Sequence, residues 1–139
     1  MPQFAPEAFQ ILRAKSLGKY KAFRKGLDQL AAEGVVQILK NEARGDASPV
    51  MAAVGPMQFE VMQARMEFEY NVETVTEPIP YSVARRTDAE SAPELGRQRG
   101  VEIFTRQDGE LIALFGDKWK LAFIEKEHPE LTMETLVAD

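Results

Sequence analysis

Two prolines near the middle of the chain, Pro78 and Pro80, limit the possible folds more than any other feature of the sequence. Each proline lacks a backbone N–H donor and disfavours helix at the residue before it. We therefore expect residues 78–80, Pro-Ile-Pro, to form a short extended linker between two compact units. The predicted units span residues 1–77 and residues 81–139.

The first half predicts the element order β-α-β-β-α-β. Strand patterns occur at residues 9–14, 35–39, 50–54 and 72–77. The first helix is indicated by apolar residues at helical spacing, which are Tyr20, Phe23, Leu27 and Leu30. Gly34 suits the left-handed stop of that helix, Pro56 suits the first turn of a second helix, and Asn71 suits its end. The second helix carries three methionines that we expect in the core, Met57, Met62 and Met66.

The second half repeats this order in fewer residues. Strand patterns occur at residues 81–86, 101–105, 111–115 and 131–137. Asp108-Gly109 is a hairpin signal, and residues 91–94, Ser-Ala-Pro-Glu, match a capping box at the start of a short helix. Asp117 can cap the last helix. That helix carries three apolar residues on one face, Trp119, Ala122 and Phe123.

Both halves therefore predict the same fold class. It is α+β, with two tandem ferredoxin-like split β-α-β units, each of the order β-α-β-β-α-β. We expect antiparallel sheets with the helices packed on one face of each sheet. The repetition is one of topology alone, because the two halves share no residue-by-residue repeat.

Composition restricts the function as well as the fold. The 139 residues carry 17 Lys and Arg against 22 Asp and Glu, a formal net charge of −5, with no cysteine and one histidine. These counts exclude disulfide scaffolds, thiol nucleophiles and thiolate zinc sites. No apolar run approaches the roughly 18 residues of a membrane helix, and no signal peptide opens the chain. We expect a cytoplasmic monomer with no membrane partner.

The sequence predicts no catalytic, cofactor-binding or metal-binding residue in this chain. It contains neither a Gly-x-x-x-x-Gly-Lys-Ser/Thr phosphate loop nor a Gly-x-Gly-x-x-Gly turn, so it should not bind GTP or a dinucleotide by those routes. His128 would need an orienting carboxylate to act as a general base. The candidates for that carboxylate are Glu125, Glu127 and Glu130. The position of His128 before Pro129 favours a structural role at a helix C-terminus.

The distribution of cations is uneven. Six of them and no anion lie between Ala8 and Leu27; they are Arg13, Lys15, Lys19, Lys21, Arg24 and Lys25. On an acidic protein this is a local positive patch, for which a phosphate backbone is a suitable partner. Aromatic residues for base stacking are absent from the patch, so contact would be with the backbone of a nucleic acid. The alternative is a plain solvated helix face.

Five runs of residues carry a resemblance to a known family. They are residues 4–9, 23–30 (Phe-Arg-Lys-Gly-Leu-Asp-Gln-Leu), 32–37, 54–61 (Val-Gly-Pro-Met-Gln-Phe-Glu-Val) and 65–72. In order and spacing they resemble the C-terminal domain of the bacterial peptide chain release factor three family. The members of that family are translational GTPases similar to elongation factor G. The resemblance covers residues 4–80 and is looser over residues 81–139.

The resemblance implies a non-catalytic part of a larger protein. The parent would use GTP and Mg²⁺, bound by a separate G domain, to promote departure of a class-one release factor from the ribosome. This domain would contact ribosomal RNA and ribosomal protein, together with the G domain and β-barrel domain of the same parent. Arg24 and Lys25 match motif positions and are the first contact candidates, followed by Lys21, Lys19 and Lys15. Three glycines at motif positions are read as structural, Gly26, Gly34 and Gly55.

Two other functions stay open from the sequence. Tandem ferredoxin-like units also occur in stand-alone modules that sense small ligands. A reading frame that begins at Met1 would favour this alternative. A small hydrolase using His128 is the third.

Overall fold

The structure, a computed structural model, describes residues 6–45 and 48–136. Its strands are β1 (Ala8–Ala14), β2 (Gln37–Lys40), β3 (Val50–Ala53), β4 (Thr74–Pro78), β5 (Val83–Thr87), β6 (Val101–Arg106), β7 (Leu111–Phe115) and β8 (Glu134–Thr135). Its α-helices are α1 (Tyr20–Ala32), α2 (Pro56–Tyr70), α3 (Ala92–Arg97) and α4 (Lys118–Glu127). Single 3-10 turns lie at Leu17–Lys19 and Glu42–Arg44. The element order β-α-β-β-α-β, repeated once, is confirmed.

The helices begin and end where local chemistry predicts. Gly34 has a φ of 82° after α1, and the N–H of Val35 donates to the carbonyl of Leu30, which closes a Schellman-type cap. Asn71 ends α2 with a φ of 55°. The Asp117 carboxylate accepts the Lys120 N–H at 2.8 Å and caps α4. These signals act within one or two turns of the chain, which is why the sequence reveals them.

The capping box predicted at residues 91–94 is wrong. Ser91 precedes α3 but makes no side-chain cap, because its buried hydroxyl accepts the N–H of Thr132 at 2.9 Å instead. Asp88 provides the nearby cap, since its carboxylate accepts the Ser91 N–H at 2.8 Å. The hydroxyl thus joins α3 to the segment before β8. That last strand is shorter than predicted, and Val137 lies outside the described residues.

All eight strands form one antiparallel sheet, in the order β4-β1-β3-β2-β6-β7-β5-β8. The two units meet edge to edge through β2 and β6, where Leu39 is opposite Arg106 and Lys40 is opposite Thr105. The N–H of Ile38 extends this contact by donating to the Gln107 side chain at 2.7 Å. This joining of the two sheets was not predicted from the sequence.

The helices pack on one face of each half of the sheet, as predicted. In the first unit, α1 and α2 bury their apolar faces against β1, β2 and β3, and the core residues include Phe23, Leu27, Phe59, Met62, Met66 and Leu12. In the second unit, α3 and α4 cover β6 and β7, and the core residues include Leu95, Leu121, Ile124, Val101 and Phe115. Each unit therefore has a helix-covered core of its own.

A third core lies on the opposite faces of the two half-sheets, which pack against each other. It joins Phe9, Leu39, Val50 and Ala52 of the first unit to Ala84, Phe104, Ile112 and Leu114 of the second. Ile79 of the Pro-Ile-Pro segment is buried in the same cluster. This packing explains why β3 and β7 are apolar on both faces. The helices therefore lie on the outer faces of the two half-sheets, and the shared core lies between the units. The domain boundaries at 77 and 81 stay a prediction.

Some apolar residues that the sequence analysis singled out are exposed. Met62 and Met66 are fully buried, but Met57 is 70% exposed, so its predicted place in the core is wrong. It lies on the side of α2 opposite the buried residues Phe59, Met62 and Met66. Trp119 and Phe123 do share a face of α4, but that face is turned to solvent.

Candidate nucleic-acid interface

The predicted cationic patch lies on α1 and on the 3-10 turn before it. Phe23 and Leu27 are fully buried on the inner side of α1, which leaves Lys21 and Lys25, one turn apart, on the outer side. The first turn of α1 contains no acidic residue. The amino end of the helix dipole adds positive potential at the same place.

The six cations of the patch fall into two groups. Arg13 Nε lies 2.8 Å from Glu77 Oε1, and Lys15 Nζ lies 3.4 Å from Glu73 Oε2, so both pair with residues of β4 or just before it. The other four form no ion pair with any residue that the structure describes; they are Lys19, Lys21, Arg24 and Lys25, and we call them the α1 surface. Lys15, a predicted contact residue, thus already has an exposed partner.

The far end of α1 is neutralised by ion pairs. Arg65 of α2 bridges Glu33 at 2.6 Å and Glu69 at 2.5 Å. Hydrogen bonds from Arg65 and from Gln29 lower the pKa of Glu33 from 4.5 to about 2. The positive potential of α1 is therefore confined to its amino-terminal half.

Arg24 extends the α1 surface toward the β2–β3 connection. It is partly buried and lines a small cleft together with Lys40, Arg44 and Ser48. Lys40 and Arg44 were not predicted from the sequence, because they follow α1 by a strand and come near Arg24 only through the fold. No local signal would have found them.

Arg44 is held in place by a cluster that ties the two units together, which we call the junction cluster. Its guanidinium makes two hydrogen bonds to Glu102 of β6, at 2.5 and 2.7 Å. Glu102 also accepts hydrogen bonds from Asn41 and from the Tyr81 hydroxyl, both at 2.9 Å. The Arg44 guanidinium carbon lies 5.9 Å from the centre of the Phe104 ring, a cation–π contact.

The junction cluster keeps Glu102 ionised. Burial by itself raises the pKa of Glu102, but the hydrogen bonds from Arg44, Tyr81 and Asn41 outweigh it, and the pKa lies below its usual value of 4.5. Glu102 in turn raises the pKa of Arg44. Glu102 is the less exposed member of the pair, so loss of Arg44 would leave a partly buried carboxylate without its counter-charge.

The other sequence candidates are placed as follows. His128 ends α4, where its backbone N–H donates to Ile124, and its Nδ1 lies 3.3 Å from Glu130 Oε2. No group of three or more His, Asp or Glu side chains in residues 6–45 and 48–136 is arranged to hold a metal ion. Within those same ranges, every helix is too short or too polar to cross a membrane.

A family model described as "Class II release factor RF3, C-terminal domain" matches residues 1–125 of the chain. The match confirms the resemblance drawn from residues 4–80 and carries it into the second unit.

Curated relatives named "Peptide chain release factor 3" match nearly all of the chain. The relative in Synechococcus elongatus is 40% identical over 138 residues, which are 98% of this chain and 25% of that protein. The relative in Trichormus variabilis is 38% identical over 98% of this chain and 26% of its own length. In Symbiobacterium thermophilum the relative is 38% identical over 94% of this chain and 25% of its own length. The chain thus spans about a quarter of the length of these relatives.

Proposed function

The chain belongs to the family of class II release factor RF3 C-terminal domains, and from this premise we propose that it is the ribosome-contacting domain of a peptide chain release factor. The parent protein would be a GTPase that promotes departure of class-one release factors during translation termination. GTP and Mg²⁺ would bind to its G domain, and this chain would catalyse nothing itself. The family assignment favours this interpretation over a stand-alone ligand-sensing module.

The observation that carries the proposal is the α1 surface. Lys19, Lys21 and Lys25 are exposed, and none of the four cations of the α1 surface has an ion-pair partner among the described residues. Cations left unpaired on an acidic protein suit the phosphates of ribosomal RNA, where binding releases condensed counterions. The same surface lacks aromatic rings for stacking, so it would read the backbone and shape of RNA. Ribosomal protein would be a further contact.

The shared core supports a role in transmitting the nucleotide state. A domain whose two units bury a common cluster of apolar residues moves as one body, because separating the units would expose that cluster to water. Contact at the α1 surface and contact with the G domain and β-barrel domain of the parent would then be mechanically connected. The class-one release factor would be affected indirectly. We expect the parent to act as a cytoplasmic monomer.

Charge reversal in the full-length parent tests this function. In the double variant Arg24→Glu/Lys25→Glu, ribosome-stimulated GTP turnover should fall roughly tenfold at limiting ribosome concentration, because two phosphate contacts become repulsive. Turnover without ribosomes should stay unchanged. The control is Arg13→Glu/Arg86→Glu, which changes the net charge equally at arginines already paired with Glu77 and Glu134. Equal stimulated turnover in the two double variants would remove the α1 surface from the function.

A further inference from the structure

Helix α4 exposes two aromatic rings on one side. Trp119 is 72% exposed and Phe123 is 56% exposed, and the two lie one helical turn apart. The opposite side of the helix is buried through Leu121 and Ile124. These rings are therefore not needed for packing α4 onto the sheet.

One lysine lies over each ring. Lys118 Nζ lies 5.1 Å from the centre of the Trp119 ring, and Lys120 Nζ lies 5.8 Å from the centre of the Phe123 ring. Neither Lys118 nor Lys120 forms an ion pair with any residue that the structure describes.

The anions near the start of α4 cancel only part of this charge. Asp117, whose carboxylate accepts the Lys120 N–H and caps the helix, offsets one of the two charges of Lys118 and Lys120. Glu125 and Glu127 lie toward the carboxyl end of the helix, away from Lys118. The start of α4, with Lys118 and Lys120 against Asp117, thus has a net positive charge beside Trp119 and one turn before Phe123.

A third exposed aromatic ring, on α2, has no positive charge next to it in the sequence. Phe68 of α2 is 87% exposed, but its sequence neighbours are Glu67 and Glu69. A polyanion would be repelled there. The lysines of α4 would attract a polyanion instead. The exposed rings of α4 thus differ from Phe68 in the charge that surrounds them.

We propose that Trp119, Phe123, Lys118 and Lys120, together the α4 surface, bind unpaired nucleotides of RNA. Every base has a flat π-face that can stack on an exposed aromatic ring, while ammonium groups beside the ring bind the adjacent phosphates. Bases within a duplex are stacked on one another and cannot reach a ring on a helix surface, so the partner is single-stranded RNA or a loop. The inference takes from the proposed function only that RNA is the partner; it uses none of the residues of the α1 surface.

The test uses the 139-residue chain and the emission of Trp119, the only tryptophan in the sequence. A short single-stranded RNA of mixed sequence should quench this emission as a base stacks on the indole, and a duplex of the same length should leave it unchanged. Unchanged emission at saturating single-stranded RNA would overturn the proposal. Equal quenching by polyglutamate would overturn it too, since an acidic polypeptide would then be the partner.

Leucine variants separate stacking from apolar contact. Trp119→Leu/Phe123→Leu keeps apolar side chains but removes the π-faces, so affinity for labelled single-stranded RNA, followed by anisotropy, should fall about tenfold or more. Phe68→Leu, the matched control, should bind like the unmodified chain. Equal affinity of the double leucine variant would contradict the proposal.

The α1 surface provides the last control. Arg24→Glu/Lys25→Glu should weaken binding of duplex RNA and still allow single-stranded RNA to quench Trp119. Duplex binding that is unaffected would count against the proposed function, whereas loss of the quenching in this variant would count against the separate α4 surface. The two failures are therefore distinguishable.

Discussion

Arginines at the junction of the two units and cations on α1 carry the same charge but have different neighbours. Arg44 of the first unit is paired with Glu102 of the second, and Arg106 of the second unit, itself paired with Asp108, donates a hydrogen bond to the Gln37 side chain of the first at 3.5 Å; both arginine side chains are partly or largely buried. The α1 surface has no such partners among the residues described. The junction cations are thus part of what holds the two units together, whereas those of α1 are left for a partner. The comparison predicts that changes at the junction reduce stability and changes on α1 reduce binding.

The largest expected effect comes from the shared core. Phe104 is 1% exposed and packs between the units, so Phe104→Ala should lower the free energy of unfolding by about 3–5 kcal/mol. Urea denaturation should show one transition, because both units bury the same cluster. Phe68→Ala, at a ring that is 87% exposed, should change the free energy by less than about 0.5 kcal/mol. Two separate urea transitions in the unmodified chain would contradict a core shared by both units, since the units would then unfold independently.

A smaller loss is expected in the junction cluster. Glu102→Gln leaves the Arg44 guanidinium without its counter-charge, which should lower the free energy of unfolding by about 1–3 kcal/mol. Glu77→Gln removes the exposed partner of Arg13 and should change it by less than about 1 kcal/mol. Equal effects of the two substitutions in urea denaturation would show that the junction pair has no special role.

Glu102→Gln should also change how the free energy of unfolding depends on pH. The pKa of Glu102 is lower in the folded chain than its usual 4.5, so its contribution to stability is present above that value and is lost as pH falls through the folded pKa. Acidification below 4.5 should therefore destabilise the unmodified chain more than Glu102→Gln. Glu33 loses its contribution toward a pH of about 2 in both proteins. Parallel stability curves for the two would contradict the assignment.

A side chain added on the buried side of α1 should destabilise the chain, whereas one added in the 3-10 turn before α1 should not. A Cβ on Gly26 would lie 2.5 Å from Met66 Sδ and 3.0 Å from Tyr70 Cδ2, so α1 and α2 would have to shift. Gly26→Ala should lower the free energy of unfolding by about 1–2 kcal/mol, the overpacking loss less the gain in helix propensity. Gly18→Ala, whose nearest atom would be Ser16 Oγ at 3.8 Å, is the control. A stability gain in Gly26→Ala would show that Met66 moves aside freely.

The sequence revealed features that depend on near neighbours in the chain. The stops at Gly34 and Asn71 and the cap at Asp117 each involve contacts within a few residues. The β2–β6 pairing, the shared core and the approach of Lys40 and Arg44 to Arg24 depend on residues far apart in sequence. The pattern of apolar residues located the face that Trp119 shares with Phe123, but it did not say which side of α4 the sheet would cover.

Ribosome co-sedimentation as a function of salt tests the central claim most directly, with the 139-residue chain and its Arg24→Glu/Lys25→Glu variant. The unmodified chain should bind more weakly as salt rises, and the variant should bind less tightly with a log–log slope lower by about one to two units. Its free energy of unfolding should stay within about 0.5 kcal/mol of the unmodified value, because the replaced cations have no ion-pair partner among the described residues. The same affinity and slope in both proteins would contradict the claim that these cations serve a partner.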